Sequence, residues 1–327
     1  MNDPNFPTNL AISPSTAPED AFHTVQSNLS TDAFGSSAQL ASIKKYGIAG
    51  RVWEASYPML LYLTSAPGVF DPPFTIKPDQ HLTVLELGAG TGIVTSRMLK
   101  LTEDRPLDII ISTDLPEVCP LLHVNVNSPA DAQAPCQAAR VRPLAWGNAA
   151  HAADIARELG LVHPPVVGNP RYLTHILCSD LVYFPELLAP LLRTLLHLTS
   201  SPFIPPEATS AGEIYDLQII ISYKVRSLSK ETAFWAAFGL WFAFEPVMAR
   251  VNATSNSETD AGWLRLGASA DSFVFVARRR PESQGWVLPT SDSDLMAGVG
   301  AWGSLSRKCD DTFETLLLMG LEEDDDR

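Results

Sequence analysis

The strongest constraint on the fold is an alternation, from Leu82 onward, between short apolar runs and segments of helical periodicity. The runs are rich in β-branched residues and end at glycines or polar residues: LTVLELG, LDIIISTD, THILCSDLVYF, DLQIIISYKV and DSFVFVARRR. Strands that are apolar on both faces and are separated by helices are typical of a mostly parallel sheet covered on both sides. We therefore predict an α/β fold, whose ligands bind at the carboxyl ends of the strands.

The first strand ends in a glycine-rich turn, ELGAGTG, at residues 86–92. Glycines allow a tight turn and a close approach of the backbone to a ligand, and the helix that follows favours polar or anionic groups at its N-terminus. The next strand ends at Asp114, where a carboxylate can accept both hydroxyls of a ribose. Together these features predict a nucleoside cofactor, and the alternative is a tight turn plus a helix-capping aspartate. A nicotinamide dinucleotide site needs G-x-G-x-x-G, but position 93 is isoleucine.

The strand HILCSDLVYF ends in three polar residues, Ser179, Asp180 and Tyr183. An apolar core strand that ends in a carboxylate and a phenol has two explanations. These side chains are either ordinary strand-end residues that face water or part of an active site at the carboxyl edge of the sheet.

Charge and cysteine content narrow the class of protein. The net charge is −14, and half of it lies in the last eighteen residues, which contain eight acids and one arginine. The remaining charge is still negative, which argues against nucleic acid as a partner and suits a basic protein surface. Four cysteines stand far apart without C-x-x-C, and the histidines lack metal-binding spacing, so we expect a reducing compartment and no metal.

Targeting signals and membrane spans are not expected. No lysine or arginine precedes Lys44, which argues against secretory and mitochondrial leaders, and the longest apolar run, Phe234–Phe244, is too short to cross a bilayer. We expect a monomer in the cytosol, with nuclear entry left open and no membrane partner.

The domain organisation follows from composition and periodicity. Residues 1–44 are predicted to be a disordered N-terminal tail, 45–280 the α/β domain, and 281–327 a C-terminal extension with an acidic tail. Helical spacing of apolar residues from Trp53 to Leu61 predicts an amphipathic helix near the start of the domain. Pro143 predicts an edge or irregular strand, and the aromatic residues between 234 and 242 are expected to be core rather than a substrate platform.

Several motifs in the order and approximate spacing of one family carry a closer resemblance: VWEAS, LELGAGTGIV, LAWG and SDLVYFPELLAPLLRTL. The turn resembles motif I of the class I S-adenosylmethionine-dependent methyltransferases. The set, over about residues 46–280, resembles the methyltransferase-like 21 group of the seven-β-strand lysine methyltransferases. The resemblance implies a Rossmann-like, seven-stranded, mostly parallel sheet with helices on both faces and an antiparallel last strand. It also implies S-adenosylmethionine as the cofactor and a lysine of a cytosolic protein, such as a translation elongation factor or an Hsp70-type chaperone, as the substrate.

The resemblance also assigns site residues. Asp180 and Tyr183 match the D-x-x-Y motif and are the implied catalytic residues. The implied cofactor-binding residues are Trp53, Glu86, Gly88, Ala89, Gly90, Asp114, Trp146 and Ser179. Trp53 can equally be plain core, whereas Trp146 at a strand end favours stacking on a ligand.

Two other functions stay open. A small-molecule N-methyltransferase would use the same cofactor and a lid, for which residues 252–267 are the candidate, and a non-catalytic scaffold would keep only the fold.

The motif GNPRYLT resembles the N-P-P-Y motif of amino-group methyltransferases, but it precedes its strand instead of following it, so turn chemistry explains it. The terminal extensions and the long segment between the last two strands depart from the family pattern, so the resemblance does not extend to the identity of the substrate protein.

Overall fold

The fold is built around a seven-stranded sheet. A computed structural model describes residues 11–16, 31–66, 68–77, 80–127, 138–161, 170–206, 215–250 and 262–325. The strands are β1 (Phe70–Asp71), β2 (Thr83–Leu87), β3 (Ile109–Asp114), β4 (Arg140–Pro143), β5 (His175–Ser179), β6 (Gln218–Lys224), β7 (Phe242–Pro246), β8 (Met248–Arg250), β9 (Trp263–Arg265) and β10 (Ser272–Arg279). The strand order in the large sheet is β4-β3-β2-β5-β6-β10-β7, and β1, β8 and β9 form a separate small sheet.

Strand direction agrees with the predicted fold class. The pairs β2–β3, β2–β5, β3–β4 and β5–β6 are parallel, whereas β10 runs antiparallel to both β6 and β7. The predicted Rossmann-like α/β sheet with an antiparallel last strand is therefore confirmed. Strand β4, which ends at Pro143, lies at the edge of the sheet, as the proline predicted.

Helices cover both faces of the sheet. They are α1 (Thr31–Phe34), α2 (Ser36–Tyr46), α3 (Ser56–Thr64), α4 (Ile93–Leu101), α5 (Cys119–Val126), α6 (Ala149–Glu158), α7 (Pro185–Leu198), α8 (Leu228–Trp241), α9 (Asp292–Met296) and α10 (Thr312–Asp325). Successive strand residues point to opposite faces, so Leu85 packs in a cluster with α6, α7 and α8, and Val84 packs in another with α3 and α4. The central strands are consequently buried, except for the last residue of β3, β5 and β6.

The N-terminal part of the chain is more ordered than predicted. Most of helix α2 lies within the range 1–44 that was predicted as a disordered tail, so the C-terminal boundary of that range is wrong. It is held partly by Gln39, whose side chain accepts from the backbone of Ser15 and Val52 and donates to the carbonyl of Ser15. These are long-range polar contacts, which leave no periodic signal in a sequence.

The predicted helix near Trp53 begins later than expected. Trp53 lies in the turn before α3, where its indole nitrogen donates to the carbonyl of Ile48 at 2.9 Å. Helix α3 is buried on most of its surface rather than on one stripe. The helical spacing of Trp53 is therefore coincidental, and the tryptophan belongs to the segment that leads into the site.

The C-terminal extension packs on the domain instead of lying apart from it. Phe313 of α10 is buried and stacks on Trp235 of α8 with ring centroids 5.0 Å apart. The predicted core role of the aromatic residues in α8 is confirmed, since Phe234, Trp235 and Phe238 are completely buried. Within the described ranges, no helix has both the length and the apolar character needed to cross a bilayer.

Candidate active site

A cavity of about 350 Å³ lies at the carboxyl ends of the central strands. Most of the predicted site residues line it together: Trp53, Gly88, Gly90, Asp114, Trp146, Ser179, Asp180 and Tyr183. Six of them come from the ends of β2, β3 and β5 and from the loops after them, as expected for a ligand site in an open α/β sheet. Trp146 follows β4, and Trp53 lies in the turn before α3. The volume is in the range of sites for small molecules and cofactors.

The glycine turn forms the floor of this cavity. Gly88 and Gly90 have φ angles of 55° and 54°, a region that side chains rarely adopt. A Cβ atom at Gly88 would approach the side chain of Leu181 to 2.8 Å, and one at Gly90 would approach the carbonyl oxygen of Ala49 to 3.1 Å. The positive φ angles favour glycine at both positions, a Cβ atom at either would crowd its neighbour, and the backbone remains open to a ligand.

Asp114 is fixed at the end of β3 by the turn itself. One carboxylate oxygen accepts from the backbone N–H of Gly90 at 2.8 Å, and the other accepts from that of Leu115 at 2.7 Å. Burial raises the pKa of Asp114 to about 6 despite these two hydrogen bonds. Each oxygen keeps a second lone pair, so the carboxylate can accept two further hydroxyl groups from a ligand.

Aromatic residues form one wall. Trp146 lies edge-on to Tyr183, with ring centroids 6.3 Å apart, and Tyr183 in turn packs against Phe184 at 4.8 Å. Burial raises the pKa of Tyr183, and the charges of Asp114 and Asp180 raise it further, so the phenol stays neutral at physiological pH. This wall offers flat apolar surface together with one neutral hydroxyl.

Asp180 lies on the other side of the glycine turn, after β5. Its φ angle is 61°, in the left-handed region, and its backbone N–H donates to the carbonyl of Ser222 at 2.8 Å. Its side chain forms a bidentate pair with Arg226, in which one guanidinium nitrogen donates to Oδ1 at 2.5 Å and the other donates to Oδ2. Arg226 comes from the loop that follows the neighbouring strand β6.

A network of alternating charges extends this pair along the rim. Glu54 pairs with Arg226 at 3.5 Å through one carboxylate oxygen and with Arg51 through the other. Both guanidinium groups also lie over the ring of Trp53, 4.5 Å and 5.4 Å from its centroid. Two carboxylates face two guanidinium groups, so this part of the rim is charge-balanced.

Two predicted cofactor residues do not line the cavity. Glu86 is buried beneath the turn, where it accepts from the hydroxyl of Thr95. Ala89 packs against Leu122 and Val141 on the far side of the turn. Both residues therefore act on the shape of the turn and do not face a ligand directly.

Glu86 should make stability depend on pH. Burial raises its pKa to about 8, whereas the unfolded chain titrates near 4.3. Between these values the folded protein holds a proton that the unfolded chain has lost, so the free energy of unfolding falls as pH rises through this window. Glu86→Gln removes this dependence. The free energy of unfolding of the variant minus that of the wild type, measured with urea at pH 5, 6.5 and 8, should increase with pH. A difference that is constant over this range would contradict the protonation of Glu86 in the folded protein.

The structure adds wall residues that the sequence did not indicate, above all Arg226, Leu181 and the segment containing Ile48 and Ala49. Arg226 follows β6 by two residues, so the strand-end rule could have found it. Among the described parts of the chain, no group of three or more His, Cys, Asp or Glu side chains is arranged to hold a metal ion.

The arrangement fits an adenosine-containing cofactor. The open glycine turn gives a bare backbone floor, the carboxylate of Asp114 keeps lone pairs for ribose hydroxyls, and Trp146 supplies a surface on which a flat base can stack. A family model described as a lysine methyltransferase matches residues 37–235, which is more than half of the chain.

Solved structures resemble the chain only distantly. The CurJ carbon methyltransferase is 16% identical, with 62% of this chain and 50% of that chain covered and a TM-score of 0.34. A predicted O-methyltransferase from Agrobacterium tumefaciens is 14% identical, with 62% and 76% covered and a TM-score of 0.36. An O-methyltransferase family 2 protein from Planctomyces limnophilus, in complex with apigenin, is 12% identical, with 76% and 68% covered and a TM-score of 0.33. The chain thus spans half the length of the CurJ protein.

Proposed function

The chain belongs to the lysine methyltransferase family, and from this premise we propose that it methylates lysine side chains of a protein. A cytosolic protein such as a translation elongation factor or an Hsp70-type chaperone is the class of substrate that the sequence motifs suggest. The observation that carries the proposal is the position of Asp180 and Tyr183 in the wall of the same cavity as Asp114, on the opposite side of the glycine turn.

Membership in the family confirms S-adenosylmethionine as the cofactor. Asp114 would hold the ribose, the backbone at Gly88 and Gly90 would lie under the methionine part, and Trp146 would lie against the adenine. When bound, the cofactor supplies a methyl group on a sulfonium, which is already activated for transfer to a nucleophile.

The remaining task of the protein is to present a neutral amine in the correct orientation. A lysine ammonium has a pKa near 10.4 in water, and an apolar cavity lowers it because burial disfavours the charged form. Leu181, Phe184 and Leu187 provide such apolar walls. The carboxylate of Asp180 keeps one free lone pair on each oxygen beside its bonds to Arg226, so it can accept an N–H of the amine and orient the nitrogen lone pair. The neutral hydroxyl of Tyr183 lines the approach.

The candidate lid does not favour a small-molecule substrate. Of residues 252–267, the structure describes 262–267, and none of these lines the cavity. Trp263–Arg265 instead pairs with β8 in the small sheet. The described part of this segment is therefore engaged away from the site.

Labelling of a cell lysate tests the proposal. The protein is incubated with lysate and S-adenosylmethionine carrying a tritiated methyl group, and labelled proteins are identified by mass spectrometry. We expect at least one labelled protein whose modified residue is a lysine, and no such label with Asp180→Asn. Label that appears only in the small-molecule fraction would overturn the proposal in favour of a small-molecule acceptor.

A further inference from the structure

Arg226 occupies the position from which a substrate amine would reach Asp180. Both oxygens of Asp180 are bonded to its guanidinium group, and 28% of the Arg226 side chain is exposed, against 1% for Asp180. The charge that directly covers the carboxylate of Asp180 is consequently positive, with the carboxylate of Glu54 on its outer side.

This arginine is held in place from several sides. Its backbone N–H and that of Ser227 donate to the buried carboxylate of Glu231, which also accepts from the hydroxyl of Tyr223. Its guanidinium group donates to the carbonyl of Lys224 at 3.2 Å in addition to pairing with Asp180. So many fixed contacts indicate a built element of the site rather than a mobile surface residue.

The pairing changes what Asp180 can do. A lone carboxylate beside a substrate amine favours the ammonium form and raises the pKa of the amine, which opposes methyl transfer because only the neutral amine has a lone pair. A carboxylate already neutralised by a guanidinium group can still accept an N–H hydrogen bond, but it no longer favours the cation. The nearby positive charge itself disfavours a second cation.

We propose that Arg226 is a positioning residue that neutralises Asp180, so that the substrate lysine gives its ammonium proton to water and binds there as the neutral amine. This inference rests on the proposed function and extends it to a residue that the motifs do not include. Asp180 then supplies orientation, and Arg226 sets the protonation state of the amine.

The other charged groups around the pair are consistent with this balance. Glu54 is shared between Arg226 and Arg51, and Glu231 is turned toward Tyr223 and backbone N–H groups. Lys224, at the end of β6, adds positive charge. Asp114 lies across the glycine turn, where its carboxylate accepts from Gly90 and Leu115.

The pH dependence of kcat tests the proposal, since it reports groups that titrate in the enzyme–substrate complex. The acceptor is the protein labelled in the lysate experiment, prepared in purified form. With Arg226→Gln we expect the apparent pKa of the rising limb of kcat to increase by about 1 to 3 units, with KM unchanged or lower. The rate should therefore fall about 10- to 1,000-fold near pH 7.5 and recover toward the wild-type value at high pH.

Two further variants separate charge from structure. Arg226→Lys keeps the positive charge but loses the bidentate geometry. The apparent pKa of the rising limb of kcat should therefore stay near that of the wild type, even if the rate itself falls. Glu54→Gln removes a negative charge from the rim and should shift the pKa in the opposite direction, to lower pH, which gives a test even if Arg226→Gln does not fold.

The failures are distinguishable. If the wild-type enzyme is active but the pKa of kcat is the same in Arg226→Gln, the role of Arg226 is overturned and the proposed function stands. If Arg226→Gln does not fold, an unchanged pKa of kcat in Glu54→Gln has the same meaning. Absence of any labelled lysine with the wild type would overturn both.

Discussion

Asp180→Asn should lower kcat for methyl transfer about 100-fold or more, while the affinity for S-adenosylhomocysteine changes by less than about threefold. Asparagine occupies the same volume and still offers one oxygen, but its amide nitrogen is a donor and cannot accept an N–H from the amine. The bidentate bond from Arg226 is also lost, so its uncompensated positive charge opposes the positive charge that develops on the nitrogen as the methyl group is transferred. Rates with the labelled acceptor and calorimetric titration with S-adenosylhomocysteine measure the two quantities separately.

Asparagine is a better choice than alanine for this test. The φ angle of Asp180 is 61°, a conformation that Asn and Asp tolerate more readily than other non-glycine residues. Removal of one partner from a buried ion pair costs about 3–5 kcal/mol, so thermal unfolding of each variant serves as the control. A folded Asp180→Asn variant with full activity would contradict the catalytic role of Asp180.

The strand-end rule explains why much of the site could be predicted from the sequence. Gly88, Asp114 and Asp180 each follow an apolar run, and parallel strands bring their carboxyl ends to one edge of a sheet. The structure places all three around one cavity. Each prediction needed only the end of a single strand and not the contacts made by its side chain.

The contacts between distant parts of the chain could not be predicted in this way. Arg226 and Asp180 are 46 residues apart, and their pairing depends on the register of β5 and β6, which apolar runs do not specify. Trp53 had the spacing of a helix but lies in a turn, in contact with two guanidinium groups. Glu86 belonged to the motif, yet it points with Val84 to the face of the sheet that α4 covers, where it accepts from Thr95.

Asp114→Ala should weaken the binding of S-adenosylhomocysteine by about 100-fold or more, since each hydrogen bond to a charged group contributes about 1.5–3 kcal/mol. The variant loses the acceptor for two ribose hydroxyls and also the anchor of the turn, because the N–H groups of Gly90 and Leu115 no longer have their partner. Calorimetric titration measures the loss. At saturating cofactor, kcat should be affected much less than by a change at Asp180, since Asp114 does not contact the amine.

The titration of Asp114 provides an internal check on this assignment. Its pKa of about 6 in the free protein means that the carboxylate becomes protonated as pH falls below 6, and one oxygen then turns from an acceptor into a donor. The wild-type affinity should therefore be nearly constant from pH 7 to 8 and decrease by up to about tenfold per pH unit below 6. Asp114→Asn cannot titrate, so its affinity should be weaker than that of the wild type at neutral pH but should lack this decrease. Parallel decreases in both proteins would assign the titration to another group.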